Sequence, residues 1–236
     1  MQKISVYIIS GLATDERVFR NIHFPEFIEV HFIAWKKPLR KETLDAYTAR
    51  LIKEIDQSKP FVLLGLSFGG VIAQEIAKKT DPFETVIISS ITSSKELPWY
   101  FRLIGKLKLN RIFPFGFFKF PNFFLNWIFG AKSRDDKKLL AGILRDADTS
   151  LIRWSVEQLL SWRSENKVEK NFRIHGTKDK LLPLKNKNSD AIITGGGHLM
   201  IYNKAQDVEL ILEGVFVDFR NFNLDFLREK GRPPRH

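Results

Sequence analysis

The stretch Phe61-Val-Leu-Leu-Gly-Leu-Ser-Phe-Gly-Gly70 decides the fold. An apolar run of strand length leads into Gly65-Leu66-Ser67-Phe68-Gly69, a G-x-S-x-G pattern, and the helix-like segment 71–79 follows. A serine at a sharp turn between a strand and a helix needs neighbours without side chains, so that its oxygen projects outward and other backbone can come close. The stretch therefore predicts a strand, a tight turn and a helix, with Ser67 as a nucleophile at the turn.

Strand and helix patterns alternate on both sides of this turn. Besides the strand before Ser67, apolar runs predict strands at residues 3–10, 29–35, 85–90, 171–175 and 190–194. Apolar residues near the helical period predict a helix from Thr43 to Ile55, and a final helix is predicted at 204–219. Strands that alternate with helices form a parallel sheet covered on both faces. The sequence thus predicts an α/β fold with a mostly parallel sheet of about six strands.

The alternation stops between about residues 91 and 164, where the chain becomes aromatic and basic. No acidic residue occurs from Leu97 to Ser133, and the end of the segment has the pattern of two helices. An insertion after the fourth strand lies at the carboxyl edge of the sheet, above Ser67, so we interpret it as a helical lid. The predicted division is a core of residues 1–92 and 165–225, a lid of residues 93–164 and a flexible tail of residues 226–236.

The aromatic residues of the lid leave three interpretations open. They can pack the lid against the core, line a pocket for an apolar acyl or aromatic group, or contact a membrane surface, where aromatic and basic side chains interleave. For the pocket we select as candidate substrate-binding residues Trp99, Phe117, Trp127 and Trp154.

Composition limits the partners of the chain. Its 236 residues carry a net charge of +11, contain no cysteine, and include five histidines without metal-ligand spacing, so we expect no metal and no cofactor. The charge is compatible with anionic substrates or peripheral contact with an anionic membrane surface. Without a nucleic-acid-binding motif, nucleic acid is not an expected partner. No signal peptide or long apolar stretch is evident, so a cytoplasmic location is expected, and the oligomeric state stays open.

Two further polar residues follow predicted strands. Asp179 lies just after the fifth strand, and His198 follows three glycines after the sixth. Serine, aspartate and histidine in this order, each at a strand end, predict a triad in which His198 takes the Ser67 proton and Asp179 orients the imidazole. His175, at the end of its strand, is interpreted as structural.

With these residues the chain resembles the α/β-hydrolase superfamily. The resemblance rests on the Gly65–Gly69 turn, the acid loop 175–179 and the histidine loop 196–198, and extends from about Lys3 to Val217. It implies an oxyanion hole formed by the N–H of Phe68 and an N–H after the first strand, here assigned to Leu12. The chain departs from the family by starting at its third strand, hence six strands and not eight, and by carrying Ser10-Gly11 where His-Gly is common.

The expected activity is hydrolysis of a carboxylic ester or thioester with an apolar acyl or aromatic group, as in a carboxylesterase, through an acyl-enzyme. The same three residues serve acyltransferases on this fold, and a binding protein for apolar ligands with little turnover is a further alternative. The sequence does not choose the substrate.

Overall fold

As predicted, six parallel strands form one sheet. Their order in the sheet is β2-β1-β3-β4-β5-β6. The strands are β1 (Ile4–Ile9), β2 (Ile28–Phe32), β3 (Phe61–Leu66), β4 (Glu84–Ile88), β5 (Asn171–Gly176) and β6 (Ala191–Ile193). The structure is a computed structural model and describes residues 3–108, 116, 119–120, 123–163, 168–184 and 189–230, with side chains described up to residue 222.

Eight α-helices are described. They are α1 (Leu44–Ile52), α2 (Phe68–Ala77), α3 (Trp99–Lys106), α4 (Phe123–Phe129), α5 (Arg134–Asp146), α6 (Thr149–Ser161), α7 (Met200–Asn203) and α8 (Ala205–Lys230). Short 3-10 helices span Glu16–Phe19 and Ser94–Glu96. Within the described residues no helix is long and apolar enough to cross a membrane.

Alternation along the buried strands creates two hydrophobic layers. On one face Val62 and Leu64 of β3 pack in a cluster with residues of α5, α7 and α8. On the other face Phe61 and Leu63 pack with residues of α1, α2 and α6. All six residues of β3 are buried, as expected for a central strand covered on both sides.

The strand order places a switch point at the carboxyl end of β1 and β3. From β1 the chain moves outward to β2, then returns past β1 to β3 and continues to β6 on the other side. Loops after β1 and β3 therefore leave in opposite directions and open a crevice, which is where parallel sheets bind ligands. Ser67 follows β3 and Leu12 follows β1, so both lie at this crevice.

Several predicted boundaries were wrong. The first helix ends at Ile52 and not at Ile55, and the fourth strand ends at Ile88 and not at residue 90. The second strand ends at Phe32 and not at Trp35, because the Trp35 ring stacks on Phe68 with centroids 6.0 Å apart and its Nε1 donates to the Gly11 carbonyl at 3.2 Å. The last helix continues beyond 219 to Lys230, so it includes the first residues of the segment predicted as a tail.

Candidate active site

Ser67 occupies a strained turn between β3 and α2. Its backbone angles are φ 52° and ψ −120°, outside the regions that a residue with a side chain prefers, at a typical cost of about 1–3 kcal/mol. Three hydrogen bonds hold this geometry: the Ser67 N–H donates to the Ile88 carbonyl at 2.9 Å, and its carbonyl accepts from Ser90 Oγ at 2.7 Å and Gly70 N at 2.9 Å. The surrounding backbone thus fixes the direction of the serine side chain.

The glycine at position 69 is required by close backbone contact. A Cβ atom there would lie 2.2 Å from the Ser10 carbonyl oxygen and 2.3 Å from that of Ile9. Both obstacles are main-chain atoms of the neighbouring strand end, so they cannot rotate away. Gly69 therefore lets α2 start directly against the loop after β1.

The structure brings the three predicted residues into one hydrogen-bonded chain. Ser67 Oγ lies 2.9 Å from His198 Nε2, and His198 Nδ1 lies 2.8 Å from Asp179 Oδ2. The other carboxylate oxygen, Oδ1, accepts the backbone N–H groups of Leu181 at 3.0 Å and Leu182 at 2.9 Å. Because Asp179 and His198 are buried, the orientation of the imidazole is set by the carboxylate rather than by water.

His175 lies behind Asp179 as a second, fully buried histidine. Its Nε2 is 2.8 Å from the Leu182 carbonyl and 3.6 Å from Asp179 Oδ2. Burial lowers the pKa of His175, against the opposing effect of the Asp179 charge and the Leu182 hydrogen bond. A neutral imidazole that donates from Nε2 supports the loop that carries Asp179.

The predicted oxyanion donors are the main-chain N–H groups of Leu12 and Phe68. The Gly11 carbonyl accepts from Thr14 N at 3.0 Å, from Thr14 Oγ1 at 2.9 Å and from Trp35 Nε1 at 3.2 Å. Carbonyl and N–H of one trans peptide point in opposite directions, so the Leu12 N–H points away from these three donors. Phe68 begins α2, where N–H groups lack helical acceptors. Within the described part of the chain neither amide donates a hydrogen bond.

An apolar cavity of about 410 Å³ opens beside Ser67, Leu12 and Phe68. Ser67 and Tyr100 supply its polar groups; every other lining side chain is apolar. Its insertion side consists of Tyr100, Phe101 and Ile104 of α3, Phe124, Leu125, Ile128 and Phe129 of α4, Leu144 of α5, and Ile152, Val156 and Leu159 of α6. Burial and the nearby Asp179 charge raise the pKa of Tyr100, so its hydroxyl stays neutral.

None of the described aromatic candidates lines this cavity. Trp154 is only 7% exposed, packs on Tyr47 with ring centroids 4.3 Å apart and donates from Nε1 to the Glu42 carbonyl at 2.8 Å. Trp99 and Trp127 lie on the outer sides of their helices, and Phe117 falls outside the described residues. The aromatic lining that we did not select comprises Tyr100, Phe101, Phe124 and Phe129. Phe101 and Ile104 are three positions apart, so they lie on the same side of α3. This spacing is the sequence signal that distinguishes the side facing the cavity from the outer side.

Part of the chain matches a known family model. Residues 16–82 match the Thioesterase domain, a segment that contains Ser67 but ends before Asp179 and His198. No curated protein gives a significant match.

Solved structures match over nearly the whole chain. A hydrolase from Oleispira antarctica has a TM-score of 0.66 at 13% identity, covering 91% of this chain and 91% of that chain. A lipase-esterase related protein from Clostridium acetobutylicum has a TM-score of 0.67 at 14% identity, covering 90% and 94%. A bromoperoxidase from Bacillus anthracis has a TM-score of 0.61 at 15% identity, covering 92% and 92%. At such identities the likeness establishes a shared fold and does not choose among the activities that these names describe.

Proposed function

We propose that this chain, whose fold is that of the α/β-hydrolase superfamily, hydrolyses a carboxylic ester or thioester of an apolar acyl group through an acyl-enzyme. The observation that carries the proposal is the hydrogen-bonded chain Ser67–His198–Asp179 at the wall of an apolar cavity. The lipase-esterase and hydrolase descriptions of two proteins with this fold, and the partial match to the Thioesterase domain, support the same class of reaction.

In the proposed mechanism Ser67 Oγ attacks the acyl carbon while His198 Nε2 takes its proton. Asp179 holds the tautomer that carries hydrogen on Nδ1 and stabilises the imidazolium that forms. His198 then gives the proton to the leaving alcohol or thiol, and a water molecule, activated by the same imidazole, hydrolyses the acyl-enzyme. In acylation the enzyme thus gives the Ser67 proton to the leaving group, and in deacylation His198 takes a proton from the water and returns it to Ser67 Oγ as the acid leaves, so one full turnover restores the enzyme.

The N–H groups of Leu12 and Phe68 are the proposed oxyanion donors. Among the described residues neither N–H has another acceptor, and both residues line the same cavity as Ser67, which supports this role. The N-terminal end of α2 adds a favourable dipole. A donor of this kind typically contributes about 3–4 kcal/mol to transition-state stabilisation.

The acyl group is proposed to occupy the cavity under α3, α4 and α6, which together act as the lid. A volume of about 410 Å³ lies in the usual range for small-molecule sites, about 300–1,000 Å³. Because the lining offers no charged side chain, a charged acyl group would lose hydration without compensation. Apolar acyl chains are therefore the favoured substrates.

The test is hydrolysis of p-nitrophenyl esters and acyl thioesters of increasing chain length. Native protein should turn over apolar acyl substrates, Ser67→Ala should not, and Ser161→Ala, which removes an exposed serine on α6, should match the native protein. Equal turnover by native protein and Ser67→Ala would contradict the proposal. Transfer of the acyl group to an added alcohol in preference to water would assign the same site to an acyltransferase.

A further inference from the structure

The outer sides of α3 and α4 expose large apolar side chains to solvent. Phe123 is 83% and Trp99 66% exposed, and Leu103, Leu107 and Trp127 are also exposed. We call these five residues the lid face. Trp99, Leu103 and Leu107 are spaced four residues apart along α3 and its last turn, so they form one stripe rather than scattered single residues. Exposed apolar side chains grouped in this way usually mark an interaction site.

The lid face adjoins the cavity beside Ser67. Phe101 and Ile104 line the cavity from α3, whereas Trp99 and Leu103 of the same helix face outward. Phe124 does both, because it lines the cavity and is 57% exposed. The cavity therefore reaches the surface at Phe124, next to Phe123 of the lid face.

Basic side chains accompany these apolar residues along α3 and after α4, and Lys180 contacts Trp127. The exposed cations are Arg102, Lys106, Lys108, Lys132 and Lys180. Among the residues that the structure describes, none of the five forms an ion pair. Lys180 joins the two helices, since its Nζ lies 4.0 Å from the centre of the Trp127 ring and its carbonyl accepts from the Tyr100 hydroxyl at 3.4 Å. The chain has no acidic residue between positions 97 and 133 to offset this charge.

We propose that the lid face docks on an anionic lipid surface, with the mouth of the cavity directed toward the lipid. Aromatic residues with interleaved Lys and Arg on one side of a short amphipathic helix are the usual composition of an interfacial contact. Each basic residue near an anionic leaflet adds an attraction that decays within a Debye length. Charge complementarity thus selects anionic lipid as the occupant, and an acyl chain has a direct path from the lipid past Phe124.

The docking is tested separately from catalysis, in Ser67→Ala protein. Sedimentation with vesicles of equal parts phosphatidylglycerol and phosphatidylcholine should show binding that salt weakens, with much less binding to phosphatidylcholine alone. The double variants Leu103→Ser/Phe123→Ser and Arg102→Gln/Lys106→Gln should each bind the anionic vesicles about tenfold or more weakly. Circular dichroism verifies that each variant is folded.

Matched controls distinguish this surface from general charge and apolarity. Leu210→Ser removes an apolar residue of α8 that is 73% exposed, and Lys53→Gln/Lys59→Gln removes two exposed lysines near α1; both should bind like the parent. Equal binding by lid-face and control variants, or no preference for anionic vesicles, would overturn the proposal. Sedimentation velocity supplies another contrary outcome: a dimer that dissociates in Leu103→Ser/Phe123→Ser would assign the surface to a second copy of the chain.

Discussion

Replacing Asp179 by asparagine should disable the site through the histidine tautomer. Asp179 Oδ1 accepts two backbone N–H groups, from Leu181 at 3.0 Å and Leu182 at 2.9 Å. An asparagine must keep its carbonyl oxygen at these two donors, because an NH₂ group there would oppose them. The NH₂ group of the asparagine then takes the place of Oδ2 and faces His198 Nδ1. Because this group can only donate, His198 Nδ1 becomes the acceptor of the hydrogen bond.

The consequence is a proton on the wrong nitrogen. His198 would carry hydrogen on Nε2, the atom that lies 2.9 Å from Ser67 Oγ, and would no longer accept the serine proton. Loss of the correct tautomer in a serine triad lowers kcat by about 10⁴-fold, equivalent to about 5 kcal/mol. Because the neutral amide keeps both backbone hydrogen bonds, the melting temperature should change little.

The assay compares kcat for one apolar p-nitrophenyl ester, with thermal unfolding measured on the same samples. Asp148→Asn is the matched control: Asp148 caps α6 by accepting from Ser150 N at 2.6 Å, and asparagine caps equally well. It should retain native kcat and stability. A folded Asp179→Asn variant with less than a tenfold loss of kcat would refute the tautomer argument.

Four further substitutions test the geometry. Gly69→Ala should greatly lower thermal stability, since its Cβ would lie 2.2 Å from the Ser10 carbonyl oxygen. Gly214→Ala should stabilise α8 by up to about 1 kcal/mol, because a Cβ added there meets no atom within 4 Å outside its own helix backbone. Calorimetry that ranks the two variants otherwise contradicts the packing. His175→Gln should reduce the fall in the free energy of unfolding as pH drops below about 6.5. Burial lowers the pKa of His175 in the native state, so the unfolded chain takes up the proton first and the native protein loses stability there. Urea titrations that give the variant the same dependence of unfolding free energy on pH as the native protein count against this. Val156→Trp should shift the ester preference to shorter acyl chains, and an unaltered chain-length profile would exclude this cavity as the acyl site.

The sheet and the order of its elements could be predicted because local pattern determines them. The apolar run before Ser67, its glycines and the following helix are decided within one short segment, and the structure has that strand, turn and helix. Asp179 and His198 were selected because a parallel sheet gathers its strand ends at one edge. The turn motif, the strand ends and the chain order together thus identified three residues whose side chains form one hydrogen-bonded chain.

Side-chain direction in the insertion could not be predicted in the same way. Trp154 is a candidate in the sequence as an aromatic residue of the insertion, but its ring packs beside Tyr47 and its N–H donates to the carbonyl of Glu42. Trp99 and Phe101 are two positions apart on α3, so they point in different directions, and only the packing of the helix decides which one faces the cavity. The end of α8 was a different kind of error, because no glycine or proline occurs between residues 215 and 230 to end the helix.

Labelling with a fluorophosphonate, followed by intact mass and peptide mapping, tests the central claim most directly. We expect one adduct per chain, on the peptide that contains Ser67. It should be abolished in Ser67→Ala, form much more slowly in His198→Ala and be unchanged in Ser161→Ala. A folded native protein that forms no adduct, or an adduct that persists in Ser67→Ala, would contradict the claim that His198 and Asp179 activate this serine.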